Sequence, residues 1–438
     1  LNWQIKLEEA AECYKKAIRI KPKDPAAYSS LFLCSQYIFD QTQENLFKMH
    51  KEFANTIAVN SDINITHHIK DISPKRKLRI GLVSPDLGLH PVGYFMTGFL
   101  KHYSRDELEI ICYAEHKNDE LTQLLKSYCD NWCKTDGMGD SELAKVIVAD
   151  KIDILIDLAG HTINNRLNTF AKKPAPIQMS WAGYVGTTGL PAMDWLIADK
   201  YYVPEDEDRF HTENVLRMPD SWVCYTPPGY IPDIKRVKPL NTNELLLGCF
   251  ANPAKINAGM AAVWAKILRK HPKTKLLLLY AKMDDVANVK RVKNYFTNAG
   301  VEQSRIIVEG KMPHREFLAR YNSVDLVLDT LPYSGGLTTM EALLMGVPVV
   351  TTSGNTFAGR HGQSVLMAVG LEELVVNNLD EYVKLVSELI IDPPRLEKLC
   401  LGLRERFLQS PICDCQKFTY DLTCELRRIW EKWCEKNC

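Results

Sequence analysis

The sequence predicts an α/β protein in which two doubly wound domains follow a helical segment. Its 438 residues exceed what one hydrophobic core usually covers. From Lys77 onward, short apolar strands alternate with amphipathic helices, which is typical of βαβ units and a mostly parallel sheet. A proline-rich stretch without periodicity, residues 226–242, divides this alternation into two series. We therefore predict a helical segment over 1–72, a first α/β domain over 73–238, and a second over 239–438 that includes the closing helices.

The helical segment is predicted from two features near the start of the chain. Small or apolar residues recur at helical spacing over residues 7–18, and Asp24-Pro25 restarts a helix with proline in its first turn. The spacing of alanine, tyrosine and proline is typical of the second half of a tetratricopeptide repeat. Because one repeat cannot bury its own apolar face, we expect these helices to end a longer array. An ordinary helical hairpin that caps the next domain is the alternative.

Each α/β domain is predicted from apolar strand segments that alternate with helical ones. In the first domain we predict strands at 78–84, 109–113, 152–158, 178–181 and 195–198, and helices at 90–102, 121–128 and 141–149. In the second we predict strands at 245–250, 275–280, 305–308, 325–328 and 348–351. We predict helices there at 258–271, 315–321, 338–345, 362–369 and 380–391, a further helix that ends at 298, and two more within 395–436. Open parallel sheets bind ligands beyond the carboxyl ends of their strands, so we expect a ligand cleft between the domains.

The turn after strand 325–328 is a candidate phosphate site. Small residues there let a ligand approach the backbone, and the free N–H groups at the start of the next helix suit an anion. Glu341, in the first turn of that helix, could accept a hydrogen bond from a ribose hydroxyl. A plain turn, with Thr338 as N-cap and Glu341 completing a capping box, is the alternative. The candidate ligand-binding residues of this turn are Gly335, Gly336, Thr338, Thr339 and Glu341.

Three further side chains stand at predicted strand ends. Lys255 follows the first strand of the second domain, where a cation could neutralise a diphosphate; a solvated lysine is the alternative. His90 follows the first strand of the first domain, ahead of a helix that begins at Pro91, and His161 follows a later strand of that domain. Histidine suits acid–base chemistry near neutral pH, but either ring could instead cap a helix.

Composition narrows the class of protein and its partners. Lys plus Arg equals Asp plus Glu, 54 against 54, so we expect neither nucleic acid nor an anionic membrane as a partner. No apolar stretch approaches the ~20 residues that span a bilayer, and we expect no export leader. The 13 cysteines are scattered, many in apolar patterns, which favours reduced thiols and a cytoplasmic location. We expect no metal cofactor, because no acidic pair is placed to hold a divalent cation.

Several ordered motifs resemble those of the O-linked N-acetylglucosamine transferase/SPINDLY family of glycosyltransferases. They are Ser84-Pro85-Asp86 with His90-Pro91, Asp157 through Thr162, Lys173 through Gln178, Gly183 through Gly189, Asn252 with Lys255, and Asp329 through Pro348. The resemblance extends from about Lys77 to the end of the chain, and the tetratricopeptide-like start fits the same family.

This resemblance implies a GT-B fold, with two Rossmann-like domains facing a cleft, and metal-independent transfer with inversion to a Ser or Thr hydroxyl of a protein. It implies that Lys255 lies at the diphosphate and that His90 is an active-site histidine, with its role as a base left open. His161 resembles the plant SPINDLY branch, whereas Arg360 resembles the N-acetylglucosamine branch. The residues that match nucleotide-sugar positions are Asn252, Lys255, Arg320, Gly335, Gly336, Thr338, Thr339, Glu341 and Arg360.

The sequence departs from the family pattern at three positions, and these departures bear on which sugar and which nucleotide base the donor carries. Gly336, Ala254 and Phe317 stand where the animal enzymes carry histidine, tyrosine and histidine. We expect UDP-GlcNAc as the donor, a co-substrate rather than a cofactor, and a protein as the acceptor. The alternatives are a GDP-fucose or UDP-glucose donor, a nucleotide-sugar epimerase, and an inactive repeat scaffold. We also expect the helical segment to serve binding of the protein acceptor, because the donor site is expected beyond Lys77; helices that form part of the catalytic fold are the alternative.

Overall fold

The computed structural model describes residues 6–58, 71–115, 117–235 and 245–437. The predicted domain boundary between residues 238 and 239 lies outside the described residues, as does Pro239 of the proline-rich stretch. Within the described part, the helical segment contains α1 (Leu7–Ile20), α2 (Pro25–Ser35) and α3 (Gln43–Ala58). The expected helical character is confirmed, and a proline begins α2 as predicted.

The described residues form two compact units. The first, called the N-unit, contains Cys13–Leu33, Gln43–Thr226 and Pro411–Cys438. The second, called the C-unit, contains Leu1–Glu12, Cys34–Thr42 and Pro227–Ser410. The helical segment is thus divided between the two units, and the end of the chain belongs to the N-unit, whereas the sequence placed it with the second domain.

A parallel sheet forms the centre of the N-unit. Its strands are β1 (Leu78–Ser84), β2 (Leu108–Ala114), β3 (Asn131–Lys134), β4 (Ile154–Asp157), β5 (Ile177–Ser180), β6 (Trp195–Asp199) and β7 (Asn214–Met218). They lie in the order β3-β2-β1-β4-β5-β6-β7. In the middle of the sheet Ile80 lies opposite both Ile110 and Ile154, and all three side chains are fully buried. Burial on both faces is typical of a parallel sheet covered by helices.

Helices of the N-unit connect these strands. They are α4 (Pro91–His102), α5 (Glu120–Tyr128), α6 (Asp140–Ala149) and α7 (Leu167–Ala171). The sequence predicted the first three of these helices and the five inner strands of the sheet, but it missed the edge strands β3 and β7. Every residue of β3 is at least partly exposed, and Asn131 and Lys134 are polar, so no apolar pattern marks it. Edge strands lack the burial that produces such a pattern.

The C-unit contains a second parallel sheet. Its strands are β8 (Leu246–Cys249), β9 (Lys275–Leu279), β10 (Ile306–Glu309), β11 (Leu326–Leu328), β12 (Val349–Thr352) and β13 (Val375–Val376), in the order β10-β9-β8-β11-β12-β13. The helices that follow are α8 (Ala258–Lys270), α9 (Val286–Asn298), α10 (His314–Arg320), α11 (Leu337–Leu344), α12 (His361–Val369), α13 (Leu379–Ile391), α14 (Pro393–Cys400) and α15 (Leu403–Leu408). In both sheets the strand order reverses at the first strand of the series, as in doubly wound folds.

The chain ends in a long helix, α16 (Cys415–Asn437), which packs on α4 within the N-unit. Its buried face includes Leu422, Leu426 and Trp430. Among the described helices, none combines the length and the apolar composition that crossing a bilayer requires.

Candidate active site

A buried carboxylate shapes the loop after β11. Asp329 accepts a hydrogen bond from the N–H of Thr330 at 2.8 Å and another from the N–H of Gly335 at 2.7 Å. A third comes from the hydroxyl of Thr351 at 2.7 Å. Burial raises the pKa of Asp329, while these hydrogen bonds and the charge of Lys255 oppose that rise. The loop is therefore held against the carboxyl edge of the sheet, where such folds bind ligands.

The predicted phosphate site lies where this loop meets α11. Gly336 is the N-cap of the helix, and no side chain caps it. In the part of the chain that the structure describes, the N–H groups of Gly336, Leu337 and Thr338 find no acceptor, and all three residues are half-buried. Free N–H groups and the helix dipole together favour an anion at a helix start. This turn can therefore hold a phosphate group.

The alternative interpretation of this turn, a capping box, is wrong. Gly336 rather than Thr338 occupies the cap position. Glu341 does not reach back to the cap, because its Oε1 lies 2.7 Å from Nε2 of His314. The hydroxyl of Thr339 donates to the carbonyl of Gly335 at 2.9 Å, so it stabilises the turn itself.

Lys255 lies beside this turn. It ends a short 3-10 helix, Pro253–Lys255, in which the side chain of Asn252 accepts a hydrogen bond from the N–H of Ala254. The ammonium of Lys255 donates to the carbonyl of Ser334 at 2.8 Å and lies 3.9 Å from the centroid of the Tyr333 ring. The cation therefore contacts the same loop that leads into the start of α11, so both anion-binding features belong to one site.

Burial lowers the pKa values of Lys255 and of the histidine beside it. It lowers the pKa of Lys255 to about 8, although the nearby Asp329 and Cys249 oppose the shift. His361 has its pKa lowered to about 3, by burial first and then by the charge of Lys255. At neutral pH the histidine is therefore uncharged and Lys255 still carries its proton. An anionic ligand stabilises a buried ammonium, because its negative charge replaces the interactions with water that burial removes.

Glu341 belongs to a short chain of hydrogen bonds that the sequence did not reveal. The residue is 2% exposed and its carboxylate contacts Nε2 of His314, and the hydroxyl of Tyr230 lies 2.8 Å from Nδ1 of the same ring. Burial raises the pKa of Glu341, and His314 opposes the rise. The signal available in the sequence was the position of His314 at the start of α10, directly after Pro313.

The two predicted arginines have partners within the C-unit. Nε of Arg320 donates to the carboxylate of Glu309 at 2.8 Å, and the guanidinium also donates to the hydroxyl of Ser323. Arg360 is buried, and its Nε donates to the carbonyl of Gly354 at 2.9 Å. Both guanidinium groups thus donate hydrogen bonds to other groups of the protein. Their contact with a nucleotide sugar stays a prediction.

A residue of the helical segment also lies at this site. The ring of Tyr37, in the turn after α2, stacks on Tyr333 with centroids 5.0 Å apart and planes 20° apart. A residue that precedes Lys77 therefore contacts the loop of the predicted phosphate site, which the sequence did not indicate, while the extent of the donor site stays a prediction. Nothing in the local pattern around Tyr37 distinguishes it from a repeat residue, because the contact joins distant parts of the chain.

His90 lies in the N-unit as the N-cap of α4. Its Nδ1 accepts a hydrogen bond from the N–H of Val92 at 3.3 Å, and Nδ1 lies 3.9 Å from the carboxylate of Asp86. Burial lowers the pKa of His90, Asp86 opposes this, and Lys117 adds to it. Since Nδ1 accepts, the neutral ring carries its proton on Nε2. His90 can therefore donate a hydrogen bond from Nε2 but is poorly prepared to act as a base there.

His161 is part of a buried network in the N-unit. Its Nδ1 lies 2.9 Å from the hydroxyl of Ser29, and its Nε2 lies 2.8 Å from the carbonyl of Thr188. Phe32 and His50 pack edge-on against its ring, and burial lowers its pKa well below the ordinary value. Both ring nitrogens are occupied by protein groups and the residue is 1% exposed. The predicted catalytic role does not fit this geometry; the contacts are those of a structural residue.

The C-unit thus collects most of the predicted nucleotide-sugar residues around the ends of β8 and β11. Within the described ranges, no group of three or more histidine, cysteine, aspartate or glutamate side chains could hold a metal ion. The predicted nucleotide-sugar residues that lie around the ends of β8 and β11 are Asn252, Lys255, Gly335, Gly336, Thr338, Thr339 and Glu341.

Two Rossmann-like units, one carrying an anion site at its strand ends, define the chain as a protein of the GT-B class. A solved structure of Anabaena HepE in complex with UDP and glucose shares this fold, with a TM-score of 0.54 and 14% identity over 80% of this chain and 100% of that chain. The chain belongs to glycosyl transferase family 41, whose sequence profile matches residues 48–235 and 234–422. A tetratricopeptide repeat profile matches residues 6–31. The predicted family and fold are confirmed.

Relatives within this family are similar over nearly the whole chain. The probable UDP-N-acetylglucosamine–peptide N-acetylglucosaminyltransferase SPINDLY of Petunia hybrida is 33% identical over 425 residues, 95% of this chain and 45% of the relative. The probable enzyme SEC of Arabidopsis thaliana is 31% identical over 373 residues, 82% of this chain and 38% of the relative. The chain therefore spans less than half the length of these relatives. A point mutant of the Thermobaculum terrenum O-GlcNAc transferase matches with a TM-score of 0.94 and 32% identity, covering 100% of this chain and 83% of that chain.

Proposed function

We propose that this chain transfers N-acetylglucosamine from UDP-GlcNAc to Ser or Thr hydroxyls of proteins. In this reaction the hydroxyl oxygen bonds to the anomeric carbon with inversion, the bond from that carbon to the diphosphate oxygen breaks, and the hydroxyl loses its proton. The products are UDP, a glycosylated protein and the released proton. The printed names of the SPINDLY and SEC relatives describe the same donor and a peptide acceptor, and they support the proposal.

One observation carries the proposal: Lys255 contacts the loop that leads into the uncapped start of α11. The ammonium bonds to Ser334, and the unpaired N–H groups begin at Gly336, two residues on. Negative charge grows on the diphosphate as the sugar leaves, and fixed donors and a cation stabilise it without a metal. Metal independence is thus part of the proposal.

Other residues have narrower parts in the proposal. Glu341, buried at the same turn, would accept from the ribose hydroxyls while His314 holds it in place. His90 would orient a substrate through its Nε2–H, and no catalytic part is assigned to His161. We include a cytoplasmic location, which the free thiols of the described cysteines support.

The proposal is tested by incubating the protein with UDP-GlcNAc, UDP-glucose and GDP-fucose, each with a library of Ser- and Thr-containing peptides, and reading the products by mass. We expect a peptide mass increase with UDP-GlcNAc that exceeds the other donors. A greater yield with GDP-fucose would change the donor and keep the reaction class. Conversion of the free nucleotide sugar to an isomer, with no change in any peptide, would favour an epimerase and overturn the proposal.

A further inference from the structure

Two aromatic rings and a cation lie around the Tyr333 ring in the C-unit. The Tyr37 ring stacks on Tyr333 at 5.0 Å, and the His361 ring stacks on it at 5.7 Å with planes only 7° apart. The ammonium of Lys255 lies over the same ring at 3.9 Å. Stacked aromatic rings at these distances attract each other, and an aromatic face attracts a cation. Tyr333 is therefore the common contact of the lysine and of a residue from the helical segment.

Tyr333 lies next to the group that holds the ammonium of Lys255. Tyr333 directly precedes Ser334, whose carbonyl accepts the hydrogen bond from Lys255, and Ser334 is followed by the start of α11. Tyr333 itself is only half-buried, so neighbours rather than the core must hold its ring. One of these neighbours is His361. The other stacking partner, Tyr37, belongs to the helical segment that precedes the α/β domains.

The turn that carries Tyr37 is anchored in its own right. The N–H of Tyr37 donates to the carbonyl of Cys34 at 3.1 Å, which continues the end of α2. Two residues on, the ring of Phe39 lies so close to Gly259 that a Cβ atom there would come within 2.9 Å of it. Burial raises the pKa of Tyr37 well above its ordinary value, so its hydroxyl stays neutral. Tyr37 thus acts through its ring and not through a charge.

We propose that Tyr37 is a positioning residue of the donor site, which holds Tyr333, and through it the ammonium of Lys255, where the diphosphate binds. The inference rests on the proposed function in one respect, that the ligand of Lys255 is a nucleoside diphosphate. It assigns the helical segment a part in donor binding in addition to any part in acceptor binding.

The test is calorimetric titration of the full chain with UDP, using Tyr37→Ala, Tyr37→Leu and Tyr37→Phe. Loss of one aromatic pair should weaken UDP binding about five- to tenfold in the alanine and leucine variants, whereas phenylalanine keeps the ring and should restore wild-type affinity. The leucine variant keeps apolar volume and serves if the alanine variant does not fold. Phe39→Ala is the matched control, because it removes from the same turn an aromatic ring that lies against Gly259, whereas the ring that stacks on Tyr333 is that of Tyr37.

A second readout separates positioning from general destabilisation. The groups that face Lys255 are Asp329, Cys249, His361 and Tyr333. Of these, only Tyr333 is expected to move when Tyr37 is shortened. Water then reaches the ammonium, and the pH above which UDP binding is lost should rise in Tyr37→Leu but not in Tyr37→Phe.

The outcomes are distinguishable. Failure of the wild-type chain to bind UDP would overturn the proposed function. Wild-type affinity in a folded Tyr37→Leu variant would overturn this inference while leaving the function in place. An equal weakening in Phe39→Ala would also overturn it, since docking of the whole turn would then explain the effect. Weakening confined to the alanine and leucine variants, with the pH limit raised, supports it.

Discussion

Nε2 of His314 lies 2.7 Å from the buried carboxylate of Glu341, and the ring is held at its other nitrogen by the hydroxyl of Tyr230. A carboxylate this deeply buried is stable only with a partner, because burial without one leaves the full desolvation cost. The contact therefore fixes the Glu341 side chain in α11, three residues after Thr338, the last residue there whose N–H is unpaired within the described part of the chain.

His314→Ala should lower the free energy of unfolding by about 1–3 kcal/mol, the usual cost of leaving a buried polar group without its partner. Urea denaturation measures it. Tyr230→Phe is the control, since it keeps the His314–Glu341 contact and removes only the outer hydrogen bond, so its loss should be smaller. Equal losses in both variants would mean that Glu341 does not depend on His314.

Lys255 and His314 show which residues of this site could be predicted from the sequence and which could not. Lys255 was predicted because it follows an apolar strand, and burial makes such strands visible as patterns. Tyr37 was not predicted, because it lies in the helical segment, before the first strand. His314 was not predicted either, although it follows β10 about as closely as Lys255 follows β8. Each acquires its part from a contact between segments far apart in the chain, with Tyr333 and Glu341 respectively. Local pattern carries no information on such pairs.

His161 shows the opposite error. It does follow a strand, β4, as the sequence predicted, yet the chain closes over it with Ser29 and Phe32 from α2. Position at a strand end is therefore not sufficient for a role in the site, because helices outside the sheet cover some of these ends.

Lys255→Ala should lower the transfer rate by two to three orders of magnitude while the fold is retained. Removal of one group that stabilises transition-state charge typically costs ~2.7–4 kcal/mol. Steady-state kinetics with UDP-GlcNAc measures the loss, and circular dichroism checks the fold. Activity within about threefold of wild type in a folded variant would remove Lys255 from the mechanism, because a term of ~2.7 kcal/mol corresponds to roughly a hundredfold.

The rate should also depend on pH through Lys255. Its pKa is lowered to about 8, so the ammonium is present below that pH and is lost as the pH rises through it. The value of kcat/KM, which reports the free enzyme, should therefore fall on the alkaline side with a midpoint near 8. Lys255→Arg keeps its charge at all these pH values, so any residual activity should show no fall near that midpoint. The same alkaline limb in the arginine variant would assign it to another group.

Transfer should persist in excess EDTA, because the cation and backbone donors at the start of α11 supply the charge stabilisation that a metal would otherwise provide. A peptide-transfer assay with and without the chelator measures this. Loss of activity that Mn²⁺ or Mg²⁺ restores would show that a metal site contributes to the reaction.

UDP should protect the protein against heat more than GDP does at equal concentration. A ligand that binds only the folded state at ~100 times its dissociation constant adds ~2.7 kcal/mol, which moves the midpoint by a few degrees. The resemblance of Arg360 to the N-acetylglucosamine branch favours the uridine nucleotide, and its burial beside α12 keeps the guanidinium fixed within the C-unit. Lys255→Ala is the control, because it should reduce the shift for either nucleotide by removing their shared diphosphate contact. A larger shift with GDP than with UDP would reverse the choice of donor and leave Lys255 in its place.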